Sequence, residues 1–407
     1  MPSVSEDSRP PSKPTIGQRL LARLSRETSS GRFIPEMDGL RLVAIAMVFL
    51  FHLNGFLTVK SKLYYPTPPS GGLVEAALVG FRGVELFFVI SGFILGLPFA
   101  AHYLKDRPKV VPRKYYLRRL TRLEPPYFVA MIASFLLALW VRGESASALL
   151  PHLAASLSYV HNLIYAVPST VMTVAWSLEV EIQFYVLVPL LTLLFTVRNK
   201  FVRRASMLAL MVVTLVAQSL FLHDSPRASQ SILGYLQFFV AGFLLADVFL
   251  MDWNEVPRRD FYWDLVALAG WPLLFLALRS SVLALWVFPW LAFALYVAAF
   301  RGRAANWLFS NRWITAIGGM CYSIYLLHYS VISAVGRLTR RISEGLPYWA
   351  HLSIQLVLVG AAVLTVSSLY FVYLEKPCMR RDWLQRSWAS VRRLLHMSPS
   401  PRPAGRQ

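Results

Sequence analysis

The sequence predicts an all-α protein, a polytopic membrane helix bundle with about ten transmembrane helices and both termini in the cytoplasm. Three observations carry this. Hydrophobic residues make up 56% of the 407 and charged residues only 15%, against roughly 25% charged in an ordinary soluble domain. So few polar groups cannot cover a globular surface, and lipid must solvate much of the chain. Next, ten apolar stretches approach the ~20 residues needed to cross ~30 Å of hydrocarbon: residues 39–58, 83–101, 124–141, 175–196, 205–222, 232–250, 262–278, 282–300, 314–335 and 351–374. Last, the cations segregate. With ten spans, 31 of the 41 Lys and Arg fall on the side of both termini, nine on the other, and Arg41 inside the first span. Lys and Arg collect in cytoplasmic loops. An odd number of spans breaks the pattern.

The same asymmetry accounts for the formal charge of +20, so no nucleic-acid partner is expected. The expected organisation is a cytoplasmic tail over 1–33, a membrane domain over 34–377 and a second cytoplasmic tail over 378–407. In the first tail no apolar core follows the basic residues, so no cleavable leader is expected. Its stretch IGQRLLARL, Ile16 to Leu24, reads as a short basic amphipathic helix, either lying on the cytoplasmic lipid surface or part of a mobile tail. The Pro- and Arg-rich end, Ser398 to Gln407, reads as disordered. Residues 149–165 are apolar but carry Pro151, His152, His161 and Asn162; they read as a half-inserted or interfacial segment. Cys321 and Cys378 offer neither a disulfide framework nor metal-ligand spacing.

An ionisable group at membrane depth is costly and usually faces a partner or a water-filled cavity. The first span carries Arg41 and His52, eleven residues apart, about three turns and ~16 Å along one stripe of one helix. Arg41 lies near the cytoplasmic face and His52 beyond the midplane. The second span places Glu85 near the outer surface with Ser91 deeper, the fourth places Glu181 about two turns in, and the ninth carries His328 in its outer half. By this register His52, Glu85, Glu181 and His328 share a depth and line one outward cavity. Imidazole is suited to take a hydroxyl proton near neutral pH. His52 is therefore the candidate base, with Glu85 or Glu181 orienting an imidazole or holding acceptor hydroxyls. A second set marks the cytoplasmic boundary: Arg118, Arg119 and Arg122 lead into the third span, Arg41 begins the first, and Glu375 closes the tenth. Clustered guanidinium forks suit a polyphosphate, coenzyme A among them.

These segments resemble the acyltransferase 3 family of integral-membrane O-acyltransferases, from about Ile34 to Pro377. IPEMDGLRLVAIAMVFLFH resembles the family's opening, with its Arg-x10-His spacing filled by Arg41 and His52. GVELFFVISGF is similar to the second-helix motif, with Glu85 where Asp or Glu is usual. RRLTRLEPPY resembles the arginine motif, matched by Arg118, Arg119 and Arg122 with Pro125 and Tyr127. WSLEVEIQFY resembles the fourth-helix motif, with Glu181 at the acidic position; Glu179 stands where a small residue is common and Ile182 where a second acid is common. YSIYLLH ends in His328, and LEKP supplies Glu375. The resemblance implies transfer of a short acyl group from cytoplasmic acyl-coenzyme A, in the inner (plasma) membrane, to a hydroxyl of a carbohydrate or glycosylated acceptor. Family acceptors include cell-wall and lipopolysaccharide sugars, lipo-oligosaccharides and macrolide sugars. The chain resembles the stand-alone type without an appended esterase-like domain. Acyl-coenzyme A enters as a donor substrate, and neither a permanently bound cofactor nor a metal is expected.

Blander roles compete at each position. A lone intramembrane His is more often a hydrogen-bonded packing residue than a catalyst. The arginines serve topology by themselves, Glu181 can brace helices through an ion pair, and Ser91 reads foremost as a small residue permitting close helix approach. A proton-coupled secondary transporter is the competing function; it predicts internal repeats and interrupted helices, which the sequence does not display.

Overall fold

The computed structural model describes residues 14–27, 33–61, 63, 72–222, 225–277, 281–342, 344–380 and 383. The Pro- and Arg-rich end and the turn around Arg279 lie outside the described residues. Among the described residues the structure is helical and contains no strand.

A short helix α1 (Ile16–Leu24) precedes ten helices at the ten predicted positions: α2 (Pro35–Gly55), α3 (Gly83–Lys105), α4 (Pro112–Arg142), α5 (Trp176–Leu191), α6 (Lys200–Ala217), α7 (Leu236–Met251), α8 (Tyr262–Ala277), α9 (Ser281–Arg301), α10 (Cys321–Thr339) and α11 (Tyr348–Tyr370). Among the described residues, seven helical segments are long and apolar enough to cross a membrane: Pro35–Lys60, Gly72–Lys105, Pro112–Arg142, Thr173–Thr196, Lys200–Phe221, Ala284–Arg301 and Tyr348–Cys378. The other three predicted spans differ for physical reasons. At 16 residues, α7 and α8 extend only ~24 Å. Helix α10 has 19 residues but interrupts its apolar run with Tyr322, Ser323, His328, Tyr329 and Arg337. Residues 149–165 form two short pieces, Ala146–Leu157 and His161–Tyr165, neither able to span.

Helix α7 is the centre of the bundle. Thirteen of its 16 residues are buried, as expected for a helix that is hydrophobic all round. Its most extensive partner is α3, and two glycines set their approach. A Cβ on Gly92 would fall inside the shell of the Phe239 carbonyl oxygen, and one on Gly242 would strike the Val89 carbonyl. Small residues at such crossings let backbones pack without loss of dispersion contact. Gly242→Ala is expected to lower the thermal midpoint of the detergent-solubilised protein by several degrees; an unchanged midpoint would mean that the two helices slide apart at no cost.

Helix α2 packs against α3 and α10 and against the short helix Arg312–Gly319. The α4 helix carries Pro125 and Pro126 inside it. Neither has an N–H to donate, and two carbonyls of this stretch also take side-chain donors from two later helices. Tyr322 of α10 donates to the Leu123 oxygen at 2.9 Å, and Tyr370 of α11 donates to that of Pro126 at 2.5 Å. The arginine turn of α4 is thereby held against α10 and α11.

Candidate functional site

An internal cavity of about 120 Å³ opens where α2, α3, α4, α5 and α10 meet the segment ending in Glu375, room for about four waters at ~30 Å³ each. Arg41, Arg119, Arg122, Glu181 and Glu375 all border it, with Ser91, Ser177, Tyr185, Tyr322 and Tyr325. Three of the four predicted cationic residues thus converge from α2 and α4. Arg118 does not: it points outward from α4 and is exposed, because neighbouring positions on a helix face different directions.

The charged groups in the cavity, Arg122 excepted, are held by identifiable partners. Arg41 Nη1 pairs with the Asp38 carboxylate one turn earlier on α2. The Arg119 guanidinium lies over the rings of Tyr115 and Tyr185, 5.9 and 5.8 Å from their centroids. The buried Arg122 Nε has no hydrogen-bond partner among the described residues, a donor left for whatever fills the cavity. Glu375 accepts from the backbone N–H of Ser323 at 3.1 Å and from its hydroxyl. Glu181 accepts from Ser91 Oγ at 2.5 Å and from Tyr185 Oη at 2.6 Å.

Of the two acids in WSLEVEIQFY, Glu181 faces the cavity and Glu179 turns away. Glu179 is fully buried and accepts from the Asn162 backbone N–H at 2.7 Å, satisfying one of the open donors at the start of helix His161–Tyr165. Ser91 lines the cavity and is bonded to Glu181, while its neighbour Gly92 supplies the close helix approach that the sequence assigns to Ser91.

The histidines form a separate pair. The rings of His52 and His328 lie 5.1 Å apart, centroid to centroid. Tyr329 meets His52 edge-on at 5.1 Å, with the Lys60 ammonium hydrogen-bonded to its hydroxyl. His328 is fully buried, and its Nδ1 faces the carbonyls of Tyr325 and Ile324 at 2.8 and 3.1 Å. Carbonyls only accept, so Nδ1 carries the proton and Nε2 presents a lone pair. That Nε2 is buried with no partner among the described residues. The cavity does not reach this pair; Tyr325, which lines the cavity, stands between, its ring 6.2 Å from that of His328.

Two placements correct the expectation of one outward cavity shared by four residues at a common depth. Glu181 belongs with the arginines, and Glu85 stands apart. Glu85 is buried on α3 and takes Arg82 Nη1 at 2.7 Å, with its second oxygen unpartnered among the described residues. Counting residues along each helix ranks depth but leaves azimuth undefined, and azimuth decides which cavity a side chain enters. Sequence reasoning also missed Asp38, Tyr185 and Ser323. The spacing of Asp38 and Arg41, one helical turn apart with opposite charge, was the available signal.

Together these features define a helical membrane bundle with an arginine-lined internal cavity beside a buried histidine pair. Its family follows from comparison. The family model described as an acyltransferase domain matches residues 34–374, most of the chain, and the protein belongs to that family. It is similar to a Staphylococcus aureus (strain COL) protein provisionally named an O-acetyltransferase, with 24% identity over 330 residues, 75% of this chain and 51% of that one. The O-acetyltransferase OatA of S. aureus (strain NCTC 8325) is 25% identical over 331 residues, 74% of this chain and 51% of the relative. The peptidoglycan O-acetyltransferase OatA of Listeria monocytogenes (strain ATCC BAA-679 / EGD-e) is 28% identical over 197 residues, 46% of this chain and 28% of the relative. The chain spans about half the length of the S. aureus relatives it matches. No solved structure matches.

Proposed function

We propose that this protein is a multi-pass membrane O-acyltransferase that moves a short acyl group from acyl-coenzyme A to a hydroxyl of a carbohydrate acceptor. The convergence of Arg41, Arg119 and Arg122 on one internal cavity, one tyrosine away from a histidine pair, carries the reading. In this reading ten helices cross the plasma membrane, with both termini and the arginine cavity on the cytoplasmic side. The guanidinium forks hold the phosphates of the coenzyme. Its thioester sits at the end of a flexible arm long enough to cover the ~16 Å from Arg41 to His52 along α2, and the acyl group reaches His52 once the Tyr325 side chain that stands between is displaced.

His52 acts as general base. It takes the proton of the acceptor hydroxyl, whose oxygen attacks the thioester carbonyl; the tetrahedral intermediate collapses with release of the coenzyme thiolate, which His52 then protonates. The Nε2 lone pair of His328 helps hold His52 or the acceptor hydroxyl. Glu181 fixes the cavity wall through Ser91 and Tyr185, and Glu85 with Arg82 belongs to the acceptor side. The similarity to a peptidoglycan O-acetyltransferase makes a cell-wall amino sugar the first acceptor to try.

Purified protein incubated with radiolabelled acetyl-coenzyme A and candidate glycosides is expected to yield a labelled ester. Coenzyme binding with substrate flux across vesicles and no covalent product would instead favour a carrier. Arg122→Ala is expected to weaken coenzyme affinity about tenfold or more, the loss of one buried charge-assisted contact. Unchanged donor affinity would return Arg122 to a topological role.

A further inference from the structure

Helix α1 precedes the membrane domain and lies outside the family match. The sequence leaves it on the lipid surface or in a mobile tail. In the structure it is capped by Thr15, whose side chain and that of Gln18 exchange bonds with each other's backbone, and its C-terminal end is tied at three places to residues that line or adjoin the arginine cavity.

The first tie is Arg26, just past the helix, whose Nε donates to Asp38 Oδ2 at 2.7 Å. Asp38 is fully buried, and its other oxygen takes Arg41. Two guanidiniums therefore share one carboxylate. A second tie is packing: the aliphatic stem of Arg26 lies where a Cβ on Gly319 would meet it at 3.7 Å, and Gly319 borders the cavity. The third tie is Lys376, next to the cavity residue Glu375. Its ammonium donates to the carbonyls of Ala22 and Arg23, at 2.9 and 2.8 Å, in the last turn of α1. Arg380 and Glu27 close the exposed side.

That surface pair and Lys376 already tie α1 to the domain, yet Arg26 is also largely buried, its side chain 10% exposed. Burying a cation is costly unless it is compensated. Compensation here is incomplete. Arg26, Arg41, Arg119 and Arg122 face the carboxylates of Asp38, Glu181 and Glu375, a formal surplus of one positive charge. Burial first, then the neighbouring Arg41 against the opposing pull of Asp38, and then Arg122, bring the Arg26 guanidinium down to about 10, so it is charged at neutral pH.

We propose that Arg26 is a positioning residue of the donor site: by sharing Asp38 with Arg41 it leaves Arg41 free to meet a phosphate-bearing ligand, and α1 is the strap that delivers it. This rests on the reading of the cavity as the coenzyme A site. Losing Arg26 lets Asp38 draw Arg41 wholly to itself and removes one positive charge from the cavity's surroundings. Both effects weaken an anionic donor.

The test measures KM for acetyl-coenzyme A and kcat in the full chain. Arg26→Gln is expected to raise KM about five- to tenfold at low ionic strength, a modest charge effect at a partly shielded site. Turnover at saturating donor should stay within about twofold, and the KM ratio to the unaltered protein should shrink as salt rises. Arg26→Lys keeps the charge but not the fork and is expected to fall between. Arg19→Gln, the same charge change at an exposed position of α1, should leave KM unaltered. If Arg26→Gln and Arg26→Lys lower the thermal midpoint but keep the parental KM while Arg122→Ala raises it, Arg26 is a structural counter-ion. The inference then fails with the donor site intact. If the unaltered protein does not bind coenzyme A at all, the cavity reading fails and takes this inference with it.

Discussion

His52→Ala is expected to lower acyl transfer about a thousandfold, within the range that a positioned general acid–base contributes, with the protein still folded and inserted. The structure gives the reason for expecting both halves. The imidazole contacts Phe51, His328 and Tyr329 through its ring and makes no hydrogen bond or ion pair among the described residues, so its loss leaves no charge uncompensated. It is half-buried, and truncation trims packing without opening a sealed core. Chemistry has more to lose. The ring of His328 lies 5.1 Å from that of His52, its buried Nε2 accepts no bond among the described residues, and its tautomer is set by the Tyr325 and Ile324 carbonyls. Product formation from labelled acetyl-coenzyme A, beside a thermal melt of the same preparation, checks the expectation. Near-normal turnover with an unchanged melt removes His52 as the base.

The largest effect on stability is expected at Asp247, a residue remote from the chemistry. It is fully buried at the end of α7 and receives Arg203 Nε on one oxygen and Arg204 Nε on the other, the latter at 2.6 Å. Arg203 is itself fully buried; its Nη1 donates to the carbonyls of Val197 and Arg198, at 2.7 and 3.2 Å. Removing one partner of a buried pair costs roughly 3–5 kcal/mol, because the remaining charge stays buried without compensation. Asp247→Ala is accordingly expected to drop the thermal midpoint in detergent by ten degrees or so. Asp247→Asn, which keeps acceptor capacity without charge, should lose less. Helix α7 packs on α3, which carries Ser91 into the cavity, so activity should fall in step with unfolded protein and not through KM for the donor. A midpoint equal to the parent's would mean that lipid or water solvates Arg203 in place of the carboxylate.

The helical class and the existence of all ten principal helices could be read from apolar run length alone, since a segment surrounded by lipid must satisfy its backbone internally. The convergence of Arg41, Arg119 and Arg122 was legible in part, because all three fall in the opening turns of α2 and α4, where their place beside the apolar run is visible in sequence. What periodicity could not supply was rotation. Arg118 and Arg119 are neighbours, yet one is exposed and the other borders the cavity; Glu179 and Glu181 are two residues apart, yet one caps a short helix and the other meets Ser91.

Taken alone, the amino-acid sequence determined the solvent, the secondary structure and the family likeness, all of which depend on composition and on contacts between near neighbours in the chain. Tertiary structure decided the pairings: His52 with His328 across 276 residues, Asp38 between two arginines, Glu85 with Arg82 and away from Glu181. It also decided that α1, amphipathic enough to rest on a membrane, is bound beside the cavity through Lys376 and Arg26. Those outcomes depend on helix azimuth and crossing, which follow from where glycines such as Gly92 and Gly242 let two backbones meet. No local pattern in one segment encodes the face that a distant segment will present to it.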